Sequence, residues 1–117
     1  MKLAIVQTRP PHGGAAGREG LDTALVGAVF DLDVSLLFVD DGVYQLLAGQ
    51  APTAIGQKPW CAAFEAVELY GIKQLLVDAE ALALRGIAAT ELMVTAELLS
   101  SSELAQHLDS RDRVLIF

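Results

Sequence analysis

The residues of this 117-residue chain that could do chemistry are few and scattered. The stretch "QTRPPHGGAAGREGLD", Gln7 to Asp22, follows the apolar run "LAIV". It carries two prolines, His12 and four glycines before it turns into a helix-like pattern. A glycine-rich turn between a strand and a helix is where backbone N–H groups cradle phosphates. The spacing meets neither phosphate fingerprint. A dinucleotide loop needs G-x-G-x-x-G, and two residues after Gly13 stands Ala15. A P-loop needs a second glycine five residues after the first, then Lys-Ser or Lys-Thr. The fifth residue after Gly13 is Arg18, the fifth after Gly14 is Glu19, and neither dipeptide occurs in the chain. Glu19 and Asp22 also bring negative charge to the first helical turns. The stretch therefore reads as a bend in which prolines stiffen the backbone and glycines let it pass close to its neighbours.

The other reactive side chains are isolated. Cys61, the only cysteine, lies in "PWCAAFEA" between Trp60 and Phe64. No Lys, Arg or His stands within two residues; Lys58 is three back. A thiol becomes nucleophilic beside a cation or a helix N-terminus, so Cys61 reads as a small packed hydrophobe. One cysteine excludes an internal disulfide and a cysteine-rich zinc site. His12 and His107 are far apart and form no metal-ligand spacing. His12 reads as a loop residue at a subunit contact, and His107 as solvated or capping. Asp40 and Asp41 follow an apolar run at a place where open α/β sheets bind ligands, yet adjacent acids there commonly shape a turn. The residues thus nominate no catalytic, cofactor-binding or metal-ligating side chain, and no cofactor.

The elements that must position these groups alternate. Apolar runs rich in branched residues recur at 2–6, 34–39, 74–77, 91–95 and 114–117. They are nearly continuous, as in parallel strands buried on both faces. Helical patterns lie between them, so the order β-α-β-α-β-α-β-α-β predicts one three-layer α/β/α domain over residues 1–117. The first helix, about Gly17 to Asp31, carries a stripe of Leu21, Ala24, Leu25 and Ala28, with Val26, Val29 and Phe30 on a second side. That second side packs either on another helix of the domain or on a partner. A second helix is expected from Pro59 through Trp60, Phe64, Val67 and Leu69 to Gly71. A third is capped by Asp78 and ends near Arg85 and Gly86. A fourth, at 100–108, is capped by Ser102 or a neighbouring serine.

Composition sets the outer limits. Hydrophobic residues make up 53% of the chain and charged residues 20%. No apolar run is long enough to span a membrane, so the excess points to surface covered by a partner. The net charge of −7, with scattered basic residues, offers no positive footprint for direct nucleic-acid binding. The first eleven residues do not read as a signal peptide, and the expected compartment is the cytoplasm.

Four blocks, "PHGGAAGREGLD", "LFVDDGVYQLLAGQ", "VELYGI" and "RGI", resemble the DsrE/DsrF family of small sulfur-relay proteins, nearly end to end. The resemblance implies an α/β/α domain around a five-stranded parallel sheet. It also implies a heterohexamer with two related subunits, TusB-like and TusD-like, two copies of each. Such a complex passes persulfide sulfur from a TusA-like carrier to a TusE-like one, toward 2-thiouridine at the wobble position of tRNA. The sulfur-carrying member of the family places a cysteine after the third strand, at the start of a helix. The matching residue here is Asp78, which cannot hold a persulfide, so the resemblance implies a non-catalytic subunit. The alternative reading is a stand-alone small-molecule or nucleotide-binding enzyme of flavodoxin-like topology, motivated by the glycine loop. Strand order and interface residues stay open.

Overall fold

A computed structural model describes residues 1–49 and 60–117. Five strands, β1 (Lys2–Gln7), β2 (Asp33–Phe38), β3 (Gln74–Asp78), β4 (Glu97–Leu99) and β5 (Arg113–Ile116), form one sheet in the order β4-β3-β2-β1-β5. Every pairing is parallel. The α/β fold read from the sequence is therefore observed. Helix α1 (Ala16–Val29), a 3-10 helix (Trp60–Tyr70) and α2 (Ala79–Leu84) connect strands that step in one direction; α3 (Ser101–Asp109) carries the chain back to β5.

The side chains show which layer lies on which face. Leu3, Ile5, Val34, Leu36 and Phe38 alternate along β1 and β2 and bury against Leu21 and Ala24 of α1, Phe64 and Val67, and Leu82 of α2. Phe38 and Phe64 meet edge to face with ring centroids 5.1 Å apart. The opposite face, Ala4, Val6, Leu37, Leu76 and Leu99, is covered by α3 through Leu104. Strands β1 and β2 are buried on both faces from their second residue on, as continuous apolar runs demand.

Several expectations need correction. The run at 91–95 is not a strand. Residues Ala89–Glu91 form a 3-10 turn. Leu92 then bridges antiparallel to Leu47, with hydrogen bonds from Met93 N to Leu46 O (2.8 Å) and from Ala48 N to Glu91 O (2.9 Å). These local bonds occupy the backbone that a ladder would use, and β4 forms six residues later, in register with Leu76–Asp78. The run at 114–117 does form a strand, but β5 is an edge strand exposed throughout rather than buried on both faces. On α1 the stripe of Leu21 and Ala24 is buried, while Val26, Val29 and Phe30 are 57%, 72% and 73% exposed. Packing on a second helix of the same domain is thereby overturned. The second helical segment buries Phe64 and Val67 but leaves Leu69 exposed; its expected start at Pro59 lies outside the described residues. Gly71 ends it with φ +93°. Helix α3 is capped by Ser100, whose hydroxyl accepts from Glu103 N (3.3 Å) while Glu103 Oε1 accepts from Ser100 N (2.9 Å). The Ser100 backbone N–H, and then the Ser100 hydroxyl, hold the Glu103 carboxyl below its usual pKa.

Among the described glycines the tightest approach is at Gly42, in the 3-10 helix Asp40–Leu46. A Cβ there would stand 2.0 Å from the backbone oxygen of Gln7. The obstacle is sheet backbone at the end of β1 and cannot swing aside. We expect Gly42→Ala to lower the thermal midpoint by about 5 °C or more, an overpacking effect. A scanning calorimetry trace matching the parent would contradict this packing.

Candidate functional site

In a parallel sheet all strands deliver their C-terminal ends to one edge, and the helices that follow begin there. Here that edge gathers the glycine loop after β1, Asp40 and Asp41 after β2, Asp78 at the end of β3 and Ser100 after β4.

The glycine loop is shaped by two buried glutamines. Gln7, fully buried at the end of β1, donates from Nε2 to Gly17 O (2.8 Å). Gln45, also fully buried, donates from Nε2 to Arg9 O (2.8 Å), and Trp60 Nε1 donates to Pro11 O (2.9 Å). A Cβ on Gly20 would lie 2.5 Å from Gln7 Oε1, and one on Gly17 2.7 Å from Gln45 Nε2. The glycines at 17 and 20 thus let the first two turns of α1 press onto these amides. Close passage of the backbone, the sequence reading, is what is observed. His12 sits in this loop with both ring nitrogens buried, and Arg9 is exposed.

Asp78 is the N-cap of α2. Its Oδ1 accepts from Glu80 N at 3.0 Å, and Glu80 Oε2 accepts from Ser101 Oγ at 3.1 Å, tying the starts of α2 and α3 together. Asp40 and Asp41 shape a turn as expected. Asp40 has φ +49°, a left-handed value that Asp tolerates. Asp41 pairs with Arg85 at 2.9 Å, and because the Asp41 side chain is half exposed solvent screens the pair and it contributes little. Cys61 is buried in the main core, away from bulk solvent. Among the described residues no group of three His, Cys, Asp or Glu side chains could hold a metal ion. No described helix is long and apolar enough to cross a membrane.

His107 departs from its expected solvated or capping role. Its Nε2 lies 2.8 Å from the hydroxyl of Ser35, which is fully buried in β2. Nearby Arg111, its side chain only 4% exposed, donates to the backbone oxygen of Asp33 and pairs with the Asp33 carboxylate at 3.2 Å. Gln7, Gln45, Ser35 and Arg111 were not singled out by sequence reasoning. Each is a single polar residue in or beside an apolar run, with no spacing to mark it.

This geometry defines a class: a parallel five-stranded α/β/α protein with uncovered apolar surface and helix starts gathered on one edge. The class has a solved relative. The crystal structure of the ychN protein from E. coli superposes with a TM-score of 0.85 at 27% identity, covering 100% of this chain and 99% of that one. The particular family follows from the sequence: the DsrE/DsrF-like family model matches residues 1–117, and the chain belongs to that family. It is 40% identical to the TusC homolog of Vibrio parahaemolyticus, over 99% of this chain and 98% of the relative. It is 39% identical to the TusC homolog of Pseudomonas aeruginosa (97% and 95% covered) and to TusC of Shigella flexneri (99% and 98%).

Two predictions follow from named contacts. Asp78→Ala should cost about 1 kcal/mol of stability by removing the cap, read as a lowered urea midpoint at unchanged slope. Unaltered stability would mean the cap contributes nothing. For His107, burial and then the Arg111 guanidinium hold the pKa below 6.5, while Asp33 and Glu97 pull it upward. The unfolded chain therefore takes up this proton at a higher pH than the folded chain. The stability it confers is complete above pH 6.5 and is lost as the pH falls below that value. Urea titrations from pH 7.5 to 5 should show a steeper loss for the parent than for His107→Gln; parallel curves would refute it.

Proposed function

We propose that this chain is a non-catalytic subunit of a sulfur-relay complex that supplies sulfur for 2-thiolation of the wobble uridine in tRNA. Its partners are TusB-like and TusD-like subunits, two copies of each of the three, in a cytoplasmic heterohexamer. Sulfur enters from a TusA-like carrier and leaves to a TusE-like one, and the active cysteine is on another subunit. The chain contacts no nucleic acid or membrane directly.

The observation that carries this reading is the N-cap of α2. Helix N–H groups at the end of a strand favour a thiolate, and they are engaged here by the carboxylate of Asp78. The chain's only thiol is buried in the core instead. A full-length match to proteins named TusC supports membership of such a relay. The exposed Val26, Val29 and Phe30 at the end of α1, with Leu69 and Tyr70 at the end of the 3-10 helix, supply apolar surface of the kind a subunit interface covers.

Deleting the gene should lower 2-thiouridine in the tRNAs for Lys, Glu and Gln, measured by mass spectrometry of digested tRNA. Cells carrying only Cys61→Ser or Asp78→Ala should keep most of that thiolation, because the relay runs through another subunit. Normal thiolation in the deletion strain would dismiss the relay role. Loss of thiolation in either variant, with the complex still assembled, would dismiss the non-catalytic one.

A further inference from the structure

The outer side of β5 is an open strand edge. β5 ends the sheet and pairs with β1 alone; no other strand among the described residues meets its far side. The ladder to β1 runs on to Phe117, whose N–H donates to Val6 O (2.9 Å) and whose carbonyl accepts from Thr8 N (3.1 Å). The N–H and C=O of one residue point to the same side of a strand, and the side alternates from residue to residue. Phe117 and Leu115 therefore face β1, while Val114 and Ile116 turn their backbone groups outward.

The side chains of this edge are uncovered too. Val114, Leu115 and Ile116 are 38%, 41% and 71% exposed. Val114 and Ile116 stand beside Ala4 and Val6 on the α3 face, and Leu115 beside Ile5 on the α1 face. The strand is thus apolar and exposed on both faces. Edge strands are commonly guarded by shortness, by charged side chains or by proline. β4, at the other edge, has three residues and an exposed Glu97. Residues 113–117 hold no Lys, Pro, Asp or Glu, and their one charged side chain, Arg113, stands at the start.

We propose that β5 pairs antiparallel with β5 of a second copy of this chain, joining the two sheets across a two-fold axis at Leu115. The edge is complementary to itself in that arrangement. Val114 of one copy faces Ile116 of the other, so the outward N–H and C=O groups meet and exchange both bonds. The Leu115 pair on the axis is non-hydrogen-bonded, which is the alternation an antiparallel ladder requires. A shift of one residue would set outward groups against inward ones. Opposite residues share a face, so Val114 packs on Ile116 and Leu115 on Leu115. Arg113 lies across from Phe117, so no like charges meet and the guanidinium covers an aromatic ring. A two-fold contact closes on itself and does not propagate into fibres. It needs neither tRNA nor a persulfide, so it stands or falls separately from the relay reading.

The test uses the full chain in the assembly in which it purifies. Opposite residues of a non-hydrogen-bonded antiparallel pair have Cα atoms about 4.5 Å apart, within the span of a disulfide. Leu115→Cys should therefore link two copies of this chain under mild oxidation. The yield should be at least tenfold that of Val114→Cys, whose two copies lie diagonally apart, beyond disulfide reach. Alkylation of free thiols, then intact mass and peptide mapping, identifies the bond. Ile116→Pro removes an outward N–H and leaves the β1 ladder whole, as proline does on a free edge. Added to Leu115→Cys, it should cut the link at least tenfold. If that variant misfolds, Ile116→Lys puts a charge on the same exposed position and should have the same effect. No link at 115, equal links at 114 and 115, or a link from 115 to a different protein overturns the proposal; so does an undiminished link in a folded Ile116 variant.

Discussion

The fold and its loop edge depend on one buried amide, Gln7. Its side chain reaches α1 through Gly17 O. Its backbone oxygen accepts Val39 N at 3.0 Å, where β2 ends. Gly42 passes directly over that oxygen and Gly20 packs on the side-chain carbonyl. Four elements therefore meet at a residue with no solvent exposure. Gln7 Nε2 is held by Gly17 O while Gln7 Oε1 is buried without a hydrogen-bond partner, so the close packing of Gly20 and Gly42 on this residue is what fixes how far α1 and the Asp40–Leu46 segment stand from the sheet. Both glycines are consequences of Gln7, since neither site has room for a side chain.

Much of this was readable from the sequence, and the failures have physical causes. Strands β1, β2 and β3 and helices α1 and α2 follow from uninterrupted apolar runs, from the Leu21–Ala24 stripe and from an Asp–Gly pair of capping residues at 78 and 86. The Asp78 cap was legible because capping chemistry is local. The strand expected at 91–95 was not there because its composition says only that Leu92, Met93 and Val94 bury partly. Whether they do so as a ladder or as a turn against Leu46 and Leu47 is a tertiary choice. The exposure of β5 could not be read either, because an apolar run does not reveal whether its strand sits at the centre or the edge of the sheet. The loop at 7–22 was correctly read as a packing device. What it packs on, Gln7 and Gln45, carries no periodic signal.

The polar groups divide by depth. At the loop edge the acids are capped, paired or solvated: Asp78 on a helix start, Asp41 on Arg85, Asp40 in a left-handed turn. Beneath α3, on the other face, a buried serine, a histidine and an almost fully buried arginine replace part of the apolar layer. That face has one helix over it, and its second core cluster is the smaller of the two. The Ser35–His107 contact and the Arg111–Asp33 pair fix where α3 lies over a layer with few large side chains to position it, and Arg111 Nε is left buried without a hydrogen-bond partner.

The place of β5 has a consequence for biosynthesis. β1 is the first strand to leave the ribosome, and it pairs on one side with β2, about thirty positions on, and on the other with residues 113–116. Translation is vectorial, so the nascent chain holds β1 with one backbone edge open until residues 113–116 have been made. Asp112 N bonds to Lys2 O at 2.8 Å and Phe117 N to Val6 O at 2.9 Å only then. The half-finished sheet presents β1 as an edge strand, paired with β2 on one side only, the kind of edge that recruits other strands. The interval between the emergence of β1 and that of β5 is therefore the time for which this edge stays open, and a slower ribosome lengthens it.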